Sequence, residues 1–453
     1  MKRFIVPLLT AVMVVSIVFA GCMPGAPVTP PPVTPPVEPV TPPVTPPVEP
    51  VTPPVTLEPI KVGVATTITG PLADDGRHHV RALEMARDKI NAAGGLLGRP
   101  VELVIADLGN YTPTELAAVR DTLKAADVDV VDYNWTVYPA VSEYLMEVGV
   151  LVTHHGWVTC DWKAWYDVRD TFPYWMTLNR TEEGYGVPYF QALTNPEMIT
   201  WEFPNKKAAI MVSDLDYSVI QANWWREEAE RAGWEIVLHE IHPVGNVEFG
   251  AQLMKIRGEE PAIVFMSSVI STEVIAAFTD FLEDPTNSLF VITWVINKPE
   301  FKDAFGERGD GVLGTVPGFL FVDSEYTGQN PTYITHYEKG RAIWDEAIER
   351  YGERPSFQTF CADDSFWVWV EAVERVGDVR DFDGIMEAMF DYPYIGATGT
   401  FGFDRETHAQ DYGVDKLPIG YYQMQGGKVI TLAVGAGRDV EKVTDFQVPW
   451  WIE

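Results

Sequence analysis

Apolar residues in this chain switch period at regular intervals. Ile60-Lys61-Val62-Gly63-Val64-Ala65 is a short β-favouring run, and after the loop Thr66 to Gly76 the spacing changes: Val80, Leu83, Ala86 and Ile90 recur every three or four residues and share one helical face. Gly94-Gly95 ends that helix. Val101 to Ala106 reads as the next strand, Thr114 to Ala126 as a helix capped by Thr112 or Thr114, and Val128 to Asp132 as a third strand. A helix near Pro139 to Met146 and a strand within Leu145 to Thr153 continue the alternation. Strand, helix and strand at this spacing require right-handed crossovers, a parallel sheet and helices on both faces.

After a break around Thr171 to Gly186 the rhythm restarts. Lys207 to Ser213, Glu235 to His242, Ala262 to Ser267 and Phe290 to Trp294 read as strands, separated by helices over Tyr217 to Ala232, Gly250 to Ile256 and Thr272 to Leu282. The tail holds helices over Pro331 to Gly352, Phe357 to Val376 and Gly384 to Met389, then a β-rich stretch, Gly420 to Thr431. The 394 residues from Ile60 to Glu453 exceed what one core usually serves, so two lobes are expected. The expected class is α/β, two doubly wound lobes joined by a hinge that the chain crosses several times, with a cleft between them. Ligands in such sheets sit at the carboxyl ends of the strands, which singles out the loops Thr66 to Arg77, Tyr133 to Thr136 and His154 to Thr159.

The chain before Ile60 has no such period. Lys2 and Arg3, the apolar run Phe4 to Ala20 and then Ala20-Gly21-Cys22 read as a lipoprotein signal, with residues 1–21 removed and Cys22 lipidated. An uncleaved anchor is the other reading, for which the apolar run is slightly short. Sixteen prolines follow between Pro24 and Pro59. Proline fixes φ and removes donors, so 22–59 reads as an extended polyproline tether, reaching roughly 110 Å at ~3.1 Å per residue.

Charge narrows the partners. Loss of Lys2 and Arg3 leaves 31 basic against 65 acidic residues, a net of −34, which repels phosphate backbones and anionic lipid and excludes nucleic acid. Of three cysteines Cys22 is assigned to lipid; Cys160 and Cys361 read as buried free thiols unless the fold pairs them. Nothing has the spacing of a zinc site, a GxSxG elbow, an HExxH helix, a Walker loop or a GxGxxG turn, so no catalytic residue, metal or cofactor is expected. His154-His155 ends a strand at the expected cleft, whereas His239-Glu240-Ile241-His242 alternates between two faces. Asp378, Asp381 and Asp383 lack EF-hand spacing and read as helix caps. Most of the tryptophans, Trp224-Trp225, Trp367 and Trp369 among them, read as packing residues.

Four segments carry a family resemblance: Ile68-Thr69-Gly70-Pro71-Leu72 leading to Gly76; Ile90-Asn91-Ala92-Ala93-Gly94-Gly95-Leu96-Leu97-Gly98-Arg99-Pro100-Val101-Glu102-Leu103; Gly399-Thr400-Phe401-Gly402-Phe403-Asp404; and Tyr421-Tyr422-Gln423-Met424-Gln425-Gly426-Gly427-Lys428. Together they resemble the extracytoplasmic solute-binding proteins of the branched-chain amino-acid type. The resemblance implies a type I periplasmic-binding fold, with two Rossmann-like lobes and three hinge crossings: 60–178 plus 319–398 as the first lobe, 179–318 plus 399–453 as the second. It further implies a monomeric receptor outside the cytoplasmic membrane, handing a small solute to an ABC permease. A secreted hydrolase, or a sensor domain serving a separate signalling partner, are the competing readings.

The resemblance also places a binding site. It implies that a solute carboxylate is held by hydroxyls and backbone donors at Asn134, Trp135 and Thr136 and at Gly156, Trp157 and Thr159, with Tyr217 as a cleft tyrosine of the second lobe. Family members that bind amino acids carry an acidic partner for the ammonium after the strand Phe290 to Thr293; here Trp294 stands there, offering a ring face instead. Asp75, Asp132, Asp363 or Asp364 could supply the charge from another direction.

Overall fold

The structure is a computed structural model that describes residues 57–70, 72–134, 140–156, 159–179, 182–318, 325–411 and 413–452. Cys22, the proline tether, Trp135, Thr136 and Trp157 lie outside the described residues.

The first sheet is five parallel strands in the order β2-β1-β3-β4-β5: β1 (Ile60–Thr66), β2 (Val101–Asp107), β3 (Val130–Tyr133), β4 (Leu151–His154) and β5 (Trp175–Thr177). Helices α1 (Ala73–Ala92), α2 (Pro113–Ala126), α3 (Ala140–Met146) and α4 (Thr159–Tyr166) make the crossovers. α1 lays the expected stripe Leu83, Ala86 and Ile90 into a core shared with Phe366, Trp369 and Val373. Thr112 rather than Thr114 caps α2. Its Oγ1 accepts from the Glu115 amide at 3.3 Å while the Glu115 carboxylate takes the Thr112 amide at 2.9 Å, a reciprocal box with Pro113 at the first helical position.

The chain then passes through α5 (Glu183–Leu193) to the second sheet, where β6 (Lys207–Ser213), α6 (Asp216–Arg231), β7 (Glu235–His242), α7 (Gly250–Glu259), β8 (Ile263–Ser267), α8 (Ser271–Glu283), β9 (Leu289–Thr293), α9 (Pro299–Phe305) and β10 (Leu313–Pro317) follow. Long helices α10 (Pro331–Tyr351), α11 (Phe357–Val376) and α12 (Phe382–Asp391) return to the first sheet. The small pair β11 (Tyr394–Ile395) and β12 (Thr400–Phe401) precedes the antiparallel strands β13 (Ile419–Gln425), β14 (Lys428–Ala436) and β15 (Asp439–Lys442), which complete an eight-stranded sheet ordered β15-β14-β13-β10-β9-β8-β6-β7. The chain thus runs between the sheets three times. Residues 408–410 lie along β5, the Gln410 amide donating to the Thr177 carbonyl at 2.8 Å.

Several elements were hidden from the sequence pattern. The apparent break at Thr171 to Gly186 contains β5 and the start of α5, a helix with Pro188 in its interior. The Gly420 to Thr431 stretch is a hairpin turning at Gly426-Gly427, both at positive φ. Cys361 is buried on α11, and Trp225 and Trp369 are buried in the cores, as expected of packing residues. Among the described residues no helix is long and apolar enough to cross a membrane.

Strand order places the site. In the first sheet the order reverses between β1 and β3, in the second between β6 and β8; at these points the following helices leave in opposite directions and open a crevice. α1 enters the first crevice so closely that a Cβ on Gly76 would sit 1.7 Å from the Thr67 carbonyl oxygen, which explains glycine there.

Candidate functional site

A cleft with about 610 Å³ of empty space opens where these strand ends meet. Asp74 and Asp75, on the first turn of α1, and Ser356, Phe357 and Gln358, at the start of α11, form one wall; Tyr217, Val269, Trp294 and the segment Asn297 to Pro299 form the other. Three residues singled out in the sequence, Asp75, Tyr217 and Trp294, therefore share one cleft.

Trp294 is the centre of the second wall. It follows β9 directly with φ of +39°, in the left-handed region that a bulky residue rarely adopts and that costs of order 1–3 kcal/mol. Its ring lies edge-on to Phe357 at 4.6 Å, across the cleft, and its indole N–H donates to the Tyr217 hydroxyl. Tyr217 in turn stacks on Tyr185 at 5.9 Å. Burial holds the Tyr217 phenol well above its usual range, so it stays neutral.

One ion pair spans the cleft. Lys298 Nζ lies 3.6 Å from Asp75 Oδ2 and 3.3 Å from the Val269 carbonyl oxygen. Lys298 escaped the sequence reading because it directly follows a 3₁₀ turn past the strand end, Trp294–Asn297, that no periodicity announces.

Glu182 is the second residue the sequence did not reveal. It caps α5 at the first crossing between the sheets, fully buried, and its Oε2 accepts both the Thr159 amide at 2.8 Å and the Thr159 hydroxyl. Burial overrides these two donors and pushes the Glu182 carboxyl up to about 8. Thr159, expected to hold a solute, thus holds this carboxyl. Gly156 is buried just beyond β4, and the Asn134 amide donates to Thr66 Oγ1 at 3.3 Å while its oxygen lies 3.1 Å from His155 Nε2.

A buried network surrounds Asp132. His79 Nε2 donates to Asp132 Oδ1 at 2.7 Å, and the hydroxyls of Ser365 and Thr153 donate to Oδ2 at 2.6 and 3.1 Å. Burial alone would raise the Asp132 carboxyl, but hydrogen bonds from His155 and His79 prevail and hold it well below the usual range. Burial pushes His79 down to about 4. A neutral imidazole beside an ionised carboxylate satisfies both. The ligand atoms of His79, Asp132 and His155 lie within 4.8 Å of one another, the spacing of a metal site. An ion there would displace the 2.7 Å His79 bond, and Asp132 Oδ2 is already held by two hydroxyls, so the geometry is that of a hydrogen-bonded brace joining α1, β3 and α11.

The other acidic candidates stand elsewhere. Asp363 is buried on α11, not among the cleft-lining residues, and burial pushes it up to about 7 against the opposing pull of Lys89. Asp364 accepts the Ala397 and Thr398 amides at 2.7 and 2.8 Å and the Thr398 hydroxyl at 2.7 Å, tying the turn between β11 and β12 to α11.

The family model described as Periplasmic binding protein matches residues 59–415, most of the chain and both sheets. The chain belongs to the periplasmic binding proteins. A structure described as that of a branched-chain amino acid ABC transporter from Silicibacter pomeroyi superposes with a TM-score of 0.74 at 23% identity, covering 87% of this chain and 100% of that one. The Streptococcus pneumoniae substrate-binding protein LivJ, solved with isoleucine, gives 0.67 at 21% identity, covering 85% and 100%. An amino acid binding protein of Pseudomonas aeruginosa is 26% identical over 217 residues, 47% of this chain and 54% of that protein. The chain therefore matches about half the length of that curated relative. These likenesses establish the type I periplasmic-binding fold, two Rossmann-like lobes with a three-crossing hinge.

Proposed function

We propose that this protein is the solute-binding receptor of an ABC importer, closing two lobes on a small polar solute and passing it unaltered to a membrane permease. The observation that carries this reading is a set of buried polar atoms without protein partners on both walls of the cleft: both amide atoms of Asn297 on one and Gln358 Oε1 on the other. Buried polar groups are paired in more than about nine cases in ten, so such a cluster beside a cleft supports a ligand that pairs them on closure. Asp75, Tyr217 and Trp294 would touch that ligand directly. Asn134, Trp135, Thr136, Gly156, Trp157 and Thr159 are proposed as further contacts of the same ligand. Thermal-shift screening of the protein from Cys22 onward against amino acids, amides, urea and small carboxylates should give a selective rise in Tm; no rise with any of them, together with turnover of a test ester or peptide, would support a hydrolase instead.

We further propose that the receptor is anchored outside the membrane by lipid at Cys22, with 22–59 as its leash and lobe boundaries near 178, 318 and 398. Cys22→Ala should abolish labelling by an alkynyl fatty acid and move the protein from the membrane to the soluble fraction; retained labelling would contradict the assignment.

Glu182 gives a pH test of the folded floor. Between pH 4.5 and about 8 the folded chain keeps a proton on Glu182 that the unfolded chain has lost, so this group's contribution to stability falls as pH rises. Glu182→Gln cannot ionise. The Tm of the variant minus that of the wild type should therefore climb from pH 5 to 8 and then level off, and a constant difference would show the carboxyl to be unperturbed.

A further inference from the structure

The charged and uncharged groups of the cleft are sorted in a way that bears on the solute. Resting on the receptor reading above, we propose that the solute presents an uncharged carboxamide or urea group to this cleft, and that the Asp75–Lys298 pair is what excludes charged head groups. Among the described lining residues every fixed charge has a partner: Lys298 faces Asp75 at 3.6 Å, and Asp74 is bonded to Arg77. A solute carboxylate would find no spare cation, and would have to take Lys298 from Asp75. An ammonium would have to take Asp75 from Lys298. In either case one charge is left without a counter-ion in a partly closed, ring-walled site, which is costly.

The unpartnered groups are of the other kind. Asn297 offers an N–H donor and a carbonyl acceptor, Gln358 offers a second carbonyl oxygen from the opposite wall, and neither carries charge. A planar group with one C=O acceptor and two N–H donors matches donors and acceptors of this number and kind, while the faces of Trp294 and Phe357 suit its flatness. The seat that Thr159 would otherwise give to a carboxylate is occupied by Glu182 itself.

Isobutyramide, isobutylamine and isobutyrate share a carbon skeleton and differ only in the head, so a thermal-shift and calorimetric comparison of the three, with urea and leucine alongside, isolates the charge. Isobutyramide or urea should bind, and isobutylamine, isobutyrate and leucine should bind at least about tenfold more weakly. Asp75→Asn should free Lys298 and shift the amide-to-carboxylate preference about tenfold toward isobutyrate; Lys298→Met should free Asp75 and shift it toward isobutylamine. Isobutyrate, leucine or isobutylamine binding the wild type as tightly as the amide would overturn the inference and leave the receptor reading standing. Failure of all five to bind, with both variants folded by circular dichroism and equally silent, would overturn the two together.

Discussion

Replacing Trp294 by Ala should lower solute affinity by a factor of roughly 30 to 1,000, the loss of about 2–4 kcal/mol expected when a central aromatic is removed from an enclosed site. The side chain supplies one wall of the cleft, contacts Phe357 across it at 4.6 Å, and fixes Tyr217 through its indole N–H. Trp294→Phe keeps a ring and loses only that hydrogen bond, so it should fall between wild type and Trp294→Ala. The measurement is titration calorimetry with the strongest ligand from the thermal-shift panel. Equal affinity in wild type and Trp294→Ala would remove the second wall from the site.

Asp132→Ala should destabilise the fold by about 3–5 kcal/mol, because it leaves His79, Ser365 and Thr153 as buried donors without an acceptor. For a chain of this size that corresponds to a fall in Tm of roughly 4–6 °C by calorimetry. Asp132→Asn keeps an acceptor oxygen and should cost less. Acid should weaken the wild type through the same network. As pH falls from 6.5 to about 4 the unfolded chain takes up a proton that folded His79 refuses, and below about 4 the unfolded counterpart of Asp132 does so too. Stability from both groups is present at neutral pH and lost toward acid. An Asp132→Ala protein as stable as wild type would show the brace to be dispensable.

The fold was legible wherever apolar periodicity and glycine punctuation coincide. The stripe Leu83, Ala86 and Ile90 and the stop at Gly94-Gly95 gave α1 its face and its end, and the runs at β8, β9 and, after Lys207, β6 are buried throughout as parallel strands demand. Elements carried by tertiary packing were not legible. α5 has Pro188 in its interior, and β5 is three residues long, so neither has a period to read. The site divided along the same line. Trp294, Tyr217 and Asp75 lie at or just past strand ends, where topology alone predicts a ligand. Glu182 and Lys298 owe their position to a hinge crossing and a 3₁₀ turn, and their importance lies in partners, Thr159 and Asp75, that are 23 and 223 residues away in sequence.

Capture of one solute by both walls is the central claim, and a crystal structure with the strongest thermal-shift ligand tests it most directly. The account predicts that one bound molecule contacts Trp294 from the second lobe and the α1 start at Asp75 or Gln358 of α11 from the first, with the buried amide of Asn297 hydrogen-bonded to it. A ligand seated on one lobe alone, or at a place that touches neither Trp294 nor Asp75, would contradict it.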